Sequence, residues 1–207
     1  MAIYSYVLLR DYGFAPNPFH GICTLATCKP GIRNSAQIGD WILGFGSSRK
    51  GSRVAGKLIY AMKVAEKLSF NEYWSDSRFF RKRPVMNGSL KQMYGDNIYH
   101  RDENEVWIQE NSHHKNEDGT TNTRNLERDT KKDSVLISSE YWYWGECAVD
   151  LPSTLTSLIK NNIGYKIEND ENIQRRFEAW IYSQDDVGYI GRPAKFSGGF
   201  EFYDGNS

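Results

Sequence analysis

The residues best suited to chemistry crowd between Gly13 and Ser47, where glycines, prolines and phenylalanines are interleaved with His20, Cys23, Cys28, Lys29 and Arg33. Such a segment is neither a simple helix nor a strand, and irregular chain leading into a strand commonly builds a pocket wall. A nucleobase pocket needs a flat apolar face, a reader for the polar base edge, and donors for sugar or phosphate. Phe14, Phe19, Trp41 and Trp142 offer faces, Asn17 and Asn34 offer readers, and Lys29 and Arg33 offer donors, with His20 beside them. Stacking on such a face contributes about 1–3 kcal/mol per base. The competing expectation is plain: an alternating strand residue such as Trp41 belongs to a core, and a loop cation belongs to solvent.

Three other chemistries compete for the same residues. His20, Cys23 and Cys28 are ligand types that zinc accepts, but Cys-x4-Cys is a loose spacing and no second pair completes four ligands, so no metal is assigned. Asp96, His100 and His113, with His114 and Asp129, form an acid–base and hard-metal inventory. In an extended chain the adjacent histidines would point apart, and the same residues also suit a solvated loop. Cys28 beside Lys29 suits a lowered thiol pKa, but the sequence assigns it no histidine or asparagine partner. Neither a P-loop, a dinucleotide fingerprint nor an HExxH motif occurs, so no cofactor is called for.

The elements that must hold these residues are legible from periodicity. Ile3 to Arg10, Trp41 to Gly46 and Lys57 to Val64 read as strands, the last two as a hairpin across the cationic turn Ser47 to Arg53. Ser69 can cap a short helix over Leu68 to Ser75. Residues 81–133 form a long polar insertion with Val106 to Ile108 as its one strand-like island. Ser134 to Ser138 and Tyr141 to Trp144 are strand-like, and in the second run one aromatic pair faces the core while the other faces solvent or ligand. Pro152 to Lys160 resembles a helix start. Ile173, Phe177, Trp180 and Ile181 predict a helix over Glu171 to Tyr182, and the glycine-bearing tail from Val187 to Ser207 is expected to run over the surface.

A length of 207 residues suits one domain spanning the chain with that insertion. The expected class is α+β, a small twisted barrel or sheet with flanking helices. Lys plus Arg total 26 and Asp plus Glu total 26, so the net charge is zero. No global field therefore draws the chain to duplex DNA or an anionic membrane, and any basic patch must be local. Three cysteines, no leader-like start and no long apolar run predict a reduced, cytoplasmic protein without a membrane partner.

Several segments together resemble one family: Tyr6–Phe19 (YVLLRDYGFAPNPF), Cys23–Pro30 (CTLATCKP), Gly39–Ile42 (GDWI), Asn87–Leu90 (NGSL), Tyr94–His100 (YGDNIYH) and Ser112–His114 (SHH). The chain resembles the second class of nucleotide-modification-associated domains of bacteria and phages, over Tyr4 to about Pro152. That resemblance implies a base-modification or phage-defence context rather than a particular activity. Lys29–Phe45 (KPGIRNSAQIGDWILGF) is similar to the start of PUA-like domains, nearest the EVE and ASCH branches. Such domains are small barrels, and the EVE and YTH branches hold a modified base in an aromatic cage.

Two principal readings follow. In the first the protein recognises a nucleotide or modified base, free or within nucleic acid, in a pocket between Gly13–Arg33 and the sheet, with the insertion as lid. In the second it is a metal-assisted enzyme on a nucleotide or nucleobase, using Asp96, His100 and His113. A third class, a protein-interaction module with exposed aromatics, is also compatible.

Overall fold

The computed structural model describes residues 1–48 and 52–205. β1 (Ile3–Leu8) leads through a 3₁₀ turn at Phe19–Gly21 to β2 (Cys23–Leu25) and the short helix α1 (Pro30–Ser35). β3 (Trp41–Gly46), β4 (Leu58–Lys63), β5 (Glu66–Leu68) and α2 (Phe70–Ser75) follow. Residues 81–133 are more regular than their composition suggests, with α3 (Leu90–Met93), β6 (Tyr99–Arg101), β7 (Trp107–Gln109) and α4 (Thr123–Thr130). β8 (Val135–Ser138), β9 (Glu140–Tyr143), a 3₁₀ segment at Ser153–Leu158, β10 (Tyr165–Glu168), α5 (Glu171–Ile181) and β11 (Gly188–Tyr189) come last. Arg49, Lys50 and Gly51 of the expected cationic turn lie outside the described residues.

The architecture is α+β. Six strands form a mixed sheet in the order β10-β1-β3-β4-β9-β11, open at β10 and β11 rather than closed into a barrel. β2, β8 and β5 make a second, antiparallel sheet, and β6 pairs with β7 as a hairpin. β8 and β9, separated only by Ser139, belong to different sheets, so that link is a crossing and not a hairpin. The Gly39-Asp40 turn locks the start of the large sheet. Gly39 takes the left-handed backbone (φ 92°), and the Asp40 carboxylate accepts from the backbone N–H of Ala2 (2.6 Å) and Gln37 (2.9 Å).

Alternation along the strands buries both faces of the large sheet. Tyr4, Tyr6, Tyr60, Met62, Tyr141 and Tyr143 face the second sheet, where Cys23, Leu25 and Leu136 meet them. Trp41, Leu43, Phe45 and Trp142 face α5, which contributes Phe177 and Ile181. Both aromatic pairs of Tyr141–Trp144 are therefore core, contrary to the expectation of one ligand-facing pair. Trp142 packs 5.9 Å from Trp41, ring to ring, and is no pocket wall. A third cluster, around Phe14, Phe70, Tyr73, Tyr94 and Tyr99, fills the space between the second sheet and residues 81–133.

One buried cation ties these layers together. Arg33, fully enclosed, donates to the carbonyls of Cys28 (2.8 Å), Lys132 (3.0 Å), Ser134 (2.5 Å) and Asp129 (2.5 Å), and its guanidinium lies over the Phe70 ring. It is thus an internal clamp and not the ligand donor its loop position suggested. A guanidinium serves because its planar fork reaches several acceptors at once. Each carbonyl left without a donor costs about 1–3 kcal/mol. Arg33→Ala should lower the free energy of urea unfolding by about 3–5 kcal/mol, with Arg33→Lys recovering only part; equal midpoints for all three proteins would contradict the clamp.

Candidate functional site

Cys28 sits at a turn between a strand and a helix. β2 ends at Leu25, α1 begins at Pro30, and Cys28 (φ 56°) and Lys29 (φ 42°) are both left-handed without being glycine. Such conformations cost of order 1–3 kcal/mol each and persist where surroundings impose them, most often at functional sites. Here the imposing contacts are the Cys28 backbone N–H donating to Asp129 Oδ1 (2.9 Å) and the Arg33 Nε–H donating to the Cys28 carbonyl. Pro30 at the first helical position needs no N–H partner, which suits so abrupt a start.

The turn presents the Cys28 thiol to His114. Its Sγ lies 3.9 Å from His114 Nε2, and His114 Nδ1 lies 2.8 Å from Asp129 Oδ2. Asp129 is fully buried and also accepts from the Tyr99 hydroxyl (3.1 Å) and from Arg128 Nε (3.0 Å). With Asp129 accepting from Nδ1–H, the Nε2 lone pair is directed at the sulfur. Arg128 Nη2 stands 4.0 Å from the same sulfur. This is the order of groups that activates a thiol: nucleophile, base, and a carboxylate that fixes the base.

Electrostatics shift Cys28, His114 and Asp129 each toward the charged form. Burial and the charge of Asp129 oppose ionisation of Cys28, yet the His114 hydrogen bond with the charges of His114 and Arg128 outweighs them and lowers its pKa. Burial opposes charging of His114, but Asp129 and Cys28 raise its pKa. Burial likewise opposes the Asp129 carboxylate, and His114 with Arg128 overcome it to hold the group well below the usual range. Thiolate, imidazolium and carboxylate alternate in sign, so each stabilises its neighbour.

The thiol opens into a cavity of about 280 Å³. The ends of β1 and the following loop (Tyr6 to Arg10) form one wall, Phe14 and Lys29 another, and His113, Arg128 and Tyr203 a third. Cations lie on aromatic faces around it: Lys29 Nζ is 4.7 Å from the Tyr6 ring centre, and Arg10 and Arg128 are 5.1 and 5.5 Å from that of Tyr203. The cavity therefore joins π-faces, positive charge and an activated sulfur.

The other expected site residues scatter. Phe14 reaches the cavity, its ring 4.6 Å from that of His114, as does Lys29. His113 also lines it, because residues 111–115 bend and turn instead of extending; both rings stay on one side, 5.4 Å apart. His113 Nδ1–H is spent on the Glu201 carbonyl (2.5 Å), however, and its neighbour His114 is the one that meets the thiol. The tail beyond Val187 is a wall and not a surface strap: β11 adds to the large sheet, and the Tyr203 N–H donates to the His113 carbonyl (2.7 Å).

Asn17 is enclosed and binds the Lys82 ammonium through Oδ1 (2.8 Å), while Asn34 is exposed, its carbonyl accepting from Lys67 (2.7 Å). Asp96 is fully buried, accepting from Thr24 (2.6 Å) and Tyr73 (2.8 Å), and is not among the residues lining the Cys28 cavity. His100 stacks on Trp74 at 4.1 Å and pairs with Glu110, away from Cys28. Phe19 and His20 line a different cavity. His20, Cys23 and Cys28 thus part company, and among the described residues no three His, Cys, Asp or Glu side chains are placed to hold a metal. Sequence reading named Cys28, His114 and Asp129 separately but could not join them; Tyr6, Arg128 and Tyr203 it missed, having no local motif to mark them.

Fold and site define an α+β protein with a cysteine–histidine–aspartate chain at the mouth of a cationic, aromatic cavity. A family model described as nucleotide modification associated domain 2 matches residues 1–200, and the chain belongs to that family. No curated protein and no solved structure matches it. Among the described residues, no helix is long and apolar enough to cross a membrane.

His113 makes the cavity wall acid-sensitive. Burial, with the charge of His114, lowers its pKa from 6.5 to about 3. A proton then binds the unfolded chain first, so the stabilisation is complete above pH 6.5 and is lost as pH falls toward about 3. The melting temperature should fall across that window in the wild type and fall less steeply in His113→Phe; parallel profiles would show that this ring does not carry the effect.

Proposed function

We propose that this protein is a cysteine-nucleophile enzyme of nucleotide or nucleobase modification, transferring or hydrolysing a group at an electrophilic carbon. The observation that carries the reading is the unbroken chain Cys28 Sγ–His114 Nε2 and His114 Nδ1–Asp129 Oδ2, opening into a cavity. His114 takes the Cys28 proton, the thiolate attacks carbon, and the leaving group departs with the proton from the imidazolium. The covalent S–C intermediate then passes its group to water or to an acceptor. Asp129 stabilises the imidazolium throughout, and Arg128 stabilises the thiolate.

Recognition of a nucleotide, the reading favoured by sequence, becomes the first half of this cycle. Tyr203, the half-buried ring of the wall, offers a face for a base, and Arg10, Lys29 and Arg128 offer partners for a phosphate or a carboxylate on a modified base. A DNA-modification or phage-defence setting is consistent with the family. The metal-assisted alternative has less support, because Asp96 and His100 lie elsewhere, and Asp129 and Cys28 address opposite nitrogens of the His114 ring and so cannot share one ion.

Alkylation by iodoacetamide, followed peptide by peptide, tests the thiol directly, with exposed Cys147 as internal reference. Cys28 should react about tenfold faster than Cys147 at neutral pH. Its pH profile should be displaced toward acid, and His114→Gln should move it back toward alkali. Turnover of any nucleotide substrate should vanish in Cys28→Ser. A Cys28 profile identical in wild type and His114→Gln would overturn the assignment.

A further inference from the structure

A larger cavity, about 610 Å³, lies between the Phe19–Gly21 turn, the segment from Phe80 to Gln92 and Tyr189 of β11. It shares no lining residue with the Cys28 cavity. The chain from Tyr12 to His20 separates the two, giving Tyr12 and Phe14 to one and Phe19 and His20 to the other. Three cations line the larger space, Arg81, Arg83 and Lys91, and no acidic residue does. Among the described residues none of the three has a carboxylate within ion-pair distance, although the chain as a whole is electroneutral. Arg83 is partly engaged, its Nη2 donating to the Trp74 carbonyl (2.6 Å) and its guanidinium lying 3.8 Å from the centre of the Trp74 ring. Among the described residues, Arg81 and Lys91 remain as the cations free of carboxylates at this space.

Aromatic faces accompany the charge. Lys91 Nζ is 4.5 Å from the centre of the Tyr189 ring and 5.7 Å from that of Phe19, and the Arg83 guanidinium is 4.2 Å from that of Phe80. Phe80 is 47% exposed, an apolar ring left in solvent at the rim. The wall also holds three buried polar atoms with no partner in the protein: His20 Nε2, Arg83 Nε and the Tyr189 hydroxyl. Each such atom costs about 1–3 kcal/mol, but all three are sealed from solvent, so it is the cations and rings facing the space that point to a ligand. His20 takes the left-handed backbone (φ 64°) at this wall, a conformation histidine adopts more readily than most residues.

We propose that this cavity is a second binding site, separate from the thiol, which takes one phosphate-bearing nucleotide unit with its base against Phe80 or Tyr189 and its phosphate against Arg81 and Lys91. The volume falls in the range of small-molecule sites. Cations with π-faces are the pairing that single nucleotides and single strands need, since every base has a face and every unit has a phosphate. Free nucleotide and strand share that chemistry and differ in how many units engage.

The test is binding by the full chain, read by calorimetry with a mononucleotide and by fluorescence anisotropy with a labelled single-stranded oligonucleotide. Binding that is lost on substitution at Arg81 and Lys91 but kept on Arg10→Ala, which lines only the Cys28 cavity, supports the site; affinity for the mononucleotide then identifies a free ligand, and affinity for the oligonucleotide alone identifies a strand. Arg81→Ala combined with Lys91→Ala should weaken binding about tenfold or more, and Arg81→Lys combined with Lys91→Arg should retain it. Both positions are exposed, so folding should survive, and Arg81→Gln provides a milder second variant checked by its melting temperature. Failure of the wild type to bind either probe, or unchanged affinity in the double alanine variant, overturns the proposal. The thiol reading fails independently of this one, since alkylation of Cys28 needs no nucleotide and this titration needs no thiol.

Discussion

The buried charge of Asp129 is the constraint around which the structure is arranged. A carboxylate with no access to water must be satisfied entirely by protein, and four groups do so: the Cys28 N–H, the His114 ring, the Tyr99 hydroxyl and the Arg128 guanidinium. These come from the turn before α1, the bend at residues 111–115, β6 and α4. Satisfying one anion therefore fixes four separate pieces of chain in mutual register. Arg33 supports the same junction from behind by collecting the carbonyls of Cys28 and of residues 129–134.

That arrangement explains why the site is pre-organised. The left-handed backbone at Cys28 and Lys29 is sustained by bonds that would be lost if the turn relaxed. Strain at the thiol is offset by hydrogen bonding to a carboxylate, and charge-assisted bonds are roughly twice as strong as neutral ones. The same carboxylate orients the imidazole. Structure and chemistry thus draw on one group, and a change at Asp129 would disturb both.

Much of the frame was legible in the sequence because its causes are local. Ser69 and Glu72 form the capping box of α2, the 3.6-residue spacing of Ile173, Phe177 and Ile181 marks α5, and alternation marks β1, β3 and β4. What escaped depends on distant partners. β10, half-exposed and short, acquires its identity from pairing with β1, and residues 81–133 read as loop because their order comes from buried polar bonds and an aromatic cluster rather than periodicity. The site was legible as an inventory only. Cys28 and His114 stand 86 residues apart and Cys28 and Asp129 101 apart, distances at which no motif speaks. Arg33, Asn17 and Asp96 were recognisably unusual, but a sequence does not distinguish a polar residue enclosed for structure from one enclosed for ligand.

The tail against His113 bears on the order in which the site comes into being. A ribosome releases β1 and Cys28 early, whereas β10, which flanks β1, follows more than a hundred residues later, and Tyr203, which closes the cavity wall, emerges later still. During synthesis the thiol consequently lacks first its base, then its orienting carboxylate, and finally one side of its enclosure. On the reading proposed above, a growing chain carries an ordinary cysteine until His114 and Asp129 have reached it, well after β2 and α1 have been made.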